Sequence, residues 1–123
     1  MARILVIEDE GGLRHVLAGA LAAAGHDVVE AENGKEALLR YGQTRPDLVI
    51  TDLYMPEMDG MEVVIALRKA SPALKVIVIS GGGDLHMPDI ALKTALALGA
   101  FRAIDKPFEL QPFLETVEQA LAA

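Results

Sequence analysis

The stretch LVITDLYMPEMDG, residues 48–60, decides the fold of this chain. It begins with an unbroken aliphatic run at 48–50, which predicts a strand covered on both faces, as in a parallel sheet. Asp52 follows at the tip of that strand, and Asp59 precedes residues that favour a helix. An aspartate at the exit of a buried strand is either incidental or placed there for chemistry, and the residues at the other strand ends distinguish the two.

Strand-like and helix-like segments alternate on both sides of this stretch. Aliphatic runs at 4–7 and 76–79 share its continuous pattern, and residues 27–31 and 101–105 are weaker strand candidates. Apolar residues between positions 13 and 24 recur at helical spacing and form one stripe. Five strands that each precede a helix predict an α/β fold, in which right-handed crossovers place helices on both faces of a parallel sheet.

Several residues mark where the helices begin and end. Gly25 and Gly99 suit the position after a helix, where a left-handed backbone favours glycine. Asn33 with Glu36 three residues later resembles a capping box, and Pro88 suits the first turn of the fourth helix.

Length and composition exclude several classes of protein. The 123 residues suffice for one domain, and 52% hydrophobic with 24% charged residues is ordinary for a globular protein. A net charge of −7 with scattered cations opposes direct nucleic-acid binding, and the absence of cysteine excludes disulfides and thiolate metal sites. Without a membrane-length apolar run or a signal peptide, we expect a cytoplasmic protein with no membrane partner.

The three histidines, His15, His26 and His86, are expected at the surface.

Chemically active side chains follow four of the predicted strands. Glu8 and Asp9 come after the first strand, Asp52 ends the third, Ser80 ends the fourth and Lys106 follows the fifth. Because parallel strands bring their carboxyl ends to one edge of the sheet, where ligands bind in such folds, we expect these side chains to converge. Packed carboxylates repel each other, and hard oxygen ligands favour Mg²⁺ as the neutralising ion.

This set of side chains is suited to phosphoryl transfer. A carboxylate such as Asp52 can accept a phosphoryl group and hold it as an acyl phosphate. Lys106 can pair with Asp52 or with phosphate oxygens, and Ser80 can donate a hydrogen bond. Glycines at 81–83 allow backbone N–H groups to approach the same oxygen atoms.

Four stretches in this order, LVIEDE, LVITDLYMPEMDG, VIVISG and AIDKPF, resemble the receiver domain of response regulators in two-component signalling. The resemblance extends over essentially all of residues 1–123 and implies a single receiver domain without an output domain. It also implies a flavodoxin-like (βα)5 three-layer sandwich with a parallel five-stranded sheet in the order 2-1-3-4-5.

The resemblance assigns roles to the acidic residues. It makes Asp52 the phosphoacceptor. It also implies a Mg²⁺ or Mn²⁺ site formed by Glu8, Asp9, Asp52 and the backbone carbonyl of Tyr54, with Asp9 the more direct ligand of the acidic pair.

The resemblance also concerns the groups around the phosphoryl position. It implies that Ser80, Gly81 and Lys106 contact the phosphoryl group. The family usually has Tyr or Phe three residues before its lysine as a rotameric switch, whereas this sequence has Ala103 there. Phe101 is two residues away and on the same face by strand parity, so it is a candidate substitute. The connection after the fourth strand is longer than is usual in the family.

The implied function is a phosphorylation-dependent signalling switch rather than a metabolic enzyme. A histidine kinase or histidine phosphotransfer protein would donate the phosphoryl group to Asp52. The altered surface of the fourth helix, fifth strand and fifth helix would then change binding to an output partner or support a homodimer. The chain would catalyse only its own phosphotransfer and slow dephosphorylation.

Two other interpretations remain open. Ala103 and the long glycine-containing connection suit a constitutive docking module that keeps the fold but does not switch. A Mg²⁺-dependent phosphohydrolase with an aspartyl intermediate is disfavoured. Asp52 is followed by Leu53 and Tyr54, without a second acid at that point to protonate a leaving group.

Overall fold

Five strands alternate with five helices in residues 2–53, 60–80, 88–106 and 108–123, which the computed structural model describes. The strands are β1 (Arg3–Ile7), β2 (Asp27–Ala31), β3 (Leu48–Asp52), β4 (Lys75–Ser80) and β5 (Arg102–Asp105). The helices are α1 (Gly11–Ala23), α2 (Gly34–Thr44), α3 (Gly60–Ala70), α4 (Pro88–Ala97) and α5 (Leu110–Ala122). Within these ranges, no helix combines the length and apolar character needed to cross a bilayer.

The strands form one parallel sheet in the order β2-β1-β3-β4-β5, which confirms the predicted flavodoxin-like topology. The strand order reverses at β1, whose neighbours are β2 on one side and β3 on the other. Asp52 at the end of β3 is in register with Ile79 of β4, and Ser80 is in register with Asp105 of β5. The carboxyl ends of these strands therefore lie along one edge, where α/β sheets bind ligands.

Aliphatic side chains alternate between the two faces of the sheet and form two separate core clusters. On one face, Leu5, Val49 and Val78 pack with buried residues of α2, α3 and α4. On the other face, Ile4 and Ile50 pack with buried residues of α1 and α5. The predicted three-layer sandwich is therefore confirmed, and it explains the continuous apolar runs, since a strand covered on both faces needs apolar residues at successive positions.

The predicted helix boundaries correspond to specific backbone features. Oδ1 of Asn33 accepts a hydrogen bond of 2.8 Å from the N–H of Glu36, so Asn33 caps α2. Gly25 and Gly99 follow α1 and α4 with φ of 96° and 105°. Pro88 is the first residue of α4.

Gly99→Ala is expected to lower the free energy of unfolding by about 2 kcal/mol, and Gly25→Ala by about 1 kcal/mol. Both positions have a left-handed backbone that strains a residue with a β-carbon. At Gly99 the new carbon would also lie 2.8 Å from Nε of Arg68, whose Nη1 donates to the carbonyl of Leu74. At Gly25 no such atom lies within 4 Å. Chemical denaturation measures both losses, and equal losses would show that displacing Arg68 costs nothing.

Candidate functional site

Four ionisable side chains meet at the carboxyl edge of the sheet. Glu8 and Asp9 follow β1, Asp52 is the last residue of β3, and Lys106 follows β5. Nζ of Lys106 lies 2.8 Å from Oδ2 of Asp52 and 3.2 Å from Oε1 of Glu8. The structure therefore brings together residues that the sequence pattern assigned to this edge, and one ammonium group connects the ends of three strands.

Three of these residues form an acidic cluster. Carboxylate oxygens of Glu8, Asp9 and Asp52 lie within 4.8 Å of one another. Glu8 and Asp52 are buried, with 1% and 4% of their surface exposed, whereas Asp9 is exposed. A hard divalent cation suits two buried carboxylates beside an exposed one, because it binds carboxylate oxygens and keeps water on its open side. The donor set therefore fits Mg²⁺ or Mn²⁺.

Burial raises the pKa of Glu8 to about 7. The negative charge of Asp52 and a hydrogen bond with the side chain of Asp9 act in the same direction, since both favour the neutral acid. The N–H of Glu10, which donates to Oε2 of Glu8 over 3.2 Å, and the charge of Lys106 oppose this rise without cancelling it. Glu8 therefore exchanges its proton near neutral pH.

Lys106 keeps its positive charge in this pocket. Burial acts to lower the pKa of the ammonium group, but the hydrogen bonds and charges of Asp52 and Glu8 outweigh burial and raise the pKa above its usual value. A cation is therefore held beside Asp52 throughout the neutral pH range.

Backbone hydrogen bonds continue beyond the strand ends and hold the two buried carboxylates in place. The N–H of Glu8 donates to the carbonyl of Ala31 over 3.0 Å, one residue beyond the end of β1. The N–H of Leu53 donates to the carbonyl of Ile79 over 3.0 Å, one residue beyond the end of β3. Because the backbone on which Glu8 and Asp52 sit is paired within the sheet, the carboxylates project from a rigid base.

Some of the predicted site residues lie at or beyond the limits of the described residues. Tyr54 and Gly81 lie outside them, as does His86. Ser80 ends β4, the strand that pairs with β3, so its backbone lies at the same edge of the sheet as Asp52. The roles of Tyr54, Ser80 and Gly81 stay predictions.

Alanine occupies the position at which the family aromatic was expected. Ala103 is in register with Val78, which belongs to the core cluster shared with α2, α3 and α4. Phe101 packs against the opposite cluster, and its ring lies 4.6 Å from Cζ of Arg102 and 5.7 Å from Nζ of Lys75. The expectation that Phe101 shares a face with Ala103 was wrong, because β5 begins at Arg102 and strand alternation does not extend to the preceding residue.

The sequence-based prediction missed Arg14, a residue of α1 that contacts the acidic turn. Nη1 of Arg14 donates to the backbone carbonyl of Glu8 over 2.8 Å, and Nε lies 3.1 Å from Oε1 of Glu30. Arg14 lies in the first turn of α1, where the positive end of the helix dipole disfavours a cation. That position is only a weak sequence signal of a specific partner, because the helix dipole is worth about 0.3–1 kcal/mol there.

His26 differs from the expectation of a surface residue. Its side chain is only 8% exposed, with Nε2 3.1 Å from Oε1 of Glu118, and Nδ1 accepts a hydrogen bond of 3.3 Å from the N–H of Ala2. The two partners come from α5 and from the segment before β1, both distant from His26 in the sequence. His15 is at the surface, as expected, with 69% of its side chain exposed.

A family model for the response regulator receiver domain matches residues 4–118. The chain belongs to this family. The receiver domain is 36% identical to the chemotaxis protein CheY of Listeria monocytogenes over 98% of both chains. It is 34% identical to the DNA-binding transcriptional regulator NtrC of Salmonella typhimurium, covering 97% of this chain and 24% of that protein. A response regulator receiver domain protein from Clostridium thermocellum has a TM-score of 0.86 and 31% identity, covering 99% of this chain and 95% of that one.

Membership of the family places this receiver domain in two-component signalling. Receiver domains are signalling modules rather than metabolic enzymes, and they act with kinases and output domains. The comparisons also show two settings for the domain, because the chain matches nearly all of CheY and about a quarter of NtrC.

Proposed function

We propose that this receiver domain is a switch that accepts a phosphoryl group on Asp52 from a histidine kinase or histidine phosphotransfer protein. In this proposal Glu8, Asp9 and Asp52 bind Mg²⁺ or Mn²⁺. The observation that best supports it is the 2.8 Å contact between Nζ of Lys106 and Oδ2 of Asp52 within the acidic cluster. A buried carboxylate held beside a fixed cation is poised to accept a group that carries negative charge.

In the proposed reaction, one bond to phosphorus forms as another breaks. An oxygen of Asp52 attacks the phosphorus atom of the donor phosphohistidine. The phosphorus–nitrogen bond breaks, and its electron pair returns to the donor imidazole, which takes up a proton. The product is an acyl phosphate on Asp52. When bound, the divalent ion supplies positive charge to the phosphoryl oxygens.

The residues of the chain orient the acceptor and balance the charge. Pairing in the sheet fixes the backbone of Asp52, and Lys106 orients its carboxylate. The ammonium group is close enough to pair with a phosphoryl oxygen once Asp52 is modified. We further propose that Ser80 and Gly81 contact the other phosphoryl oxygens and that the carbonyl of Tyr54 completes the metal site.

Incubation with acetyl phosphate and Mg²⁺ is expected to add one acid-labile phosphate, measured by intact mass. Asp52→Asn is expected to abolish the gain, because an amide is not a nucleophile for phosphorus under these conditions. Asp47→Asn provides a matched control, since Asp47 lies before β3 and its Oδ2 accepts a hydrogen bond from the N–H of Arg3. The absence of any gain in the wild type, or a gain that survives Asp52→Asn, would overturn the proposal.

A constitutive docking module is the second candidate, and Ala103 favours it. With alanine at that position, no aromatic side chain at 103 can change rotamer when Asp52 is modified. Amide exchange with and without beryllofluoride, a phosphoryl mimic, separates the candidates. A change in protection that spreads across α4, β5 and α5 supports a switch. The same result would support partner binding or homodimerisation through that surface. Protection confined to the site supports docking.

A further inference from the structure

We propose that Arg14 is a positioning residue that holds the peptide between Glu8 and Asp9 and thereby sets the geometry of the metal site. This inference rests on the proposed function, because it concerns the same acidic cluster. Arg14 itself contacts neither Asp52 nor the cluster carboxylates in the hydrogen bonds described above, so its effect is exerted through the backbone.

The guanidinium group binds the backbone at the point where the two acidic side chains diverge. Nη1 of Arg14 donates over 2.8 Å to the carbonyl of Glu8, and that carbonyl belongs to the peptide that joins Glu8 to Asp9. The N–H of Arg14 donates to the carbonyl of Glu10 over 2.9 Å, so the same residue also closes the first turn of α1. Arg14 is therefore bonded to both sides of Asp9.

The backbone of Asp9 needs a further hydrogen-bonded contact to fix it, because it lies beyond the end of β1. The N–H of Glu8 is still bonded to β2 through Ala31, which fixes the backbone before the carboxylate pair. Asp9 is exposed and follows the last sheet hydrogen bond of this segment in the described structure. Arg14 fixes the backbone on the other side of Glu8, so rotation of the peptide that would redirect Asp9 breaks a charge-assisted hydrogen bond.

Glu30 orients the guanidinium group. Its Oε1 lies 3.1 Å from Nε of Arg14 and 3.1 Å from Nδ1 of His15, and the Arg14 side chain is only 14% exposed. The carboxylate of Glu30 also offsets the positive charge of Arg14, which reduces its repulsion of a cation in the neighbouring acidic cluster. Glu30 belongs to β2, so the arginine connects the acidic turn to a rigid strand.

Arg3 provides a control with the same types of contact at a more exposed position. Its Nε lies 3.0 Å from Oδ2 of Asp27, and its Nη1 donates to the carbonyl of Thr44 over 2.8 Å. These bonds have the same types of donor and acceptor as those of Arg14, but Arg3 is at the opposite, amino end of β1. Arg3→Met therefore removes the same types of contact away from the site, from a side chain that is 47% exposed where that of Arg14 is 14% exposed.

The test measures Mn²⁺ binding to the full chain by electron paramagnetic resonance. Arg14→Met is expected to weaken Mn²⁺ binding about 10-fold, in the range typical for loss of a group that orients a metal ligand. Arg14→Lys should recover part of the affinity, because its ammonium can still donate to the Glu8 carbonyl, and Arg3→Met should bind as the wild type does. In phosphorylation by acetyl phosphate, Arg14→Met should need more Mg²⁺ for half-maximal rate while keeping its rate at saturating Mg²⁺.

The possible outcomes separate this inference from the proposed function. Wild-type affinity in Arg14→Met would overturn the positioning role and leave the proposed function intact. Equal weakening in Arg3→Met would also overturn it, since the effect would then follow general stability. A wild-type protein that binds no Mn²⁺ would overturn the metal site itself and the role of Arg14 toward it.

Discussion

Lys106→Met is expected to slow phosphorylation of Asp52 by acetyl phosphate about 100-fold while Mg²⁺ binding stays as tight or tightens. In the proposed transfer, the ammonium group of Lys106 would stabilise negative charge on the phosphoryl oxygens, and methionine has a similar length without that charge. In the unmodified protein, the same group pairs with the two buried carboxylates that the metal would use. Its loss therefore makes these oxygens available to a cation. Intact mass gives the rate, and calorimetry gives the Mg²⁺ affinity.

Lys106→Arg is the matched control for this experiment. Arginine keeps the charge but presents a planar group with different donor positions, so its rate should lie between those of the wild type and Lys106→Met. If rate and Mg²⁺ affinity fall together in Lys106→Met, the prediction is contradicted. That result would mean that the lysine maintains the shape of the pocket rather than balancing charge during transfer.

Glu8→Gln is expected to remove a pH dependence of stability worth about 3 kcal/mol in the metal-free protein. The pKa of Glu8 is about 7 in the folded protein, compared with an ordinary value of 4.5. The folded state therefore binds this proton more tightly than the unfolded state does. The resulting stabilisation is fully present below pH 4.5 and is lost as the pH rises through about 7. Glutamine has no proton to lose over this range.

Unfolding of both proteins at a series of pH values measures this effect as the difference between their stabilities. The wild type should lose stability relative to Glu8→Gln as the pH rises, and Mg²⁺ should reduce the difference because a cation favours the ionised carboxylate. Glu10→Gln alters an exposed acid in the same turn and should follow the wild type. Parallel curves for the wild type and Glu8→Gln would contradict the prediction.

The framework of the site was predictable because its strands are buried on both faces. β1, β3 and β4 contain uninterrupted aliphatic runs since helices cover both sides of the sheet. Once these strands are parallel, Glu8 after β1, Asp52 at the end of β3 and Ser80 at the end of β4 must share one edge. Lys106 joins them there because β5 is parallel to β4. The apolar pattern of β5 was weaker because β5 is a short strand at the edge of the sheet. Its first residue is Arg102, one residue later than predicted.

Individual side-chain partners were not predictable, because they depend on distances across the folded chain. Phe101 was assigned to the wrong face because it precedes β5, so the alternation of side chains in the strand does not include it. His26 contacts Glu118 of α5, which is 92 positions away in the sequence. Likewise, no local pattern indicates that Arg14 binds the carbonyl of Glu8, and the contact is visible only in the folded structure.

The contacts of Lys106 join residues that are far apart in the sequence, so they cannot form before the last strand of the sheet has been added. Lys106 is separated by 54 positions from Asp52 and by 98 positions from Glu8. Contacts between such distant positions cost more conformational entropy to close than local contacts do, because the long intervening chain is restricted when its ends are joined. A nascent or partly folded chain without β5 therefore has Asp52 but not its ammonium partner, Lys106. If Asp52 accepts a phosphoryl group as proposed, molecules in which the first and last strands do not yet belong to one sheet would be poor substrates for the donor.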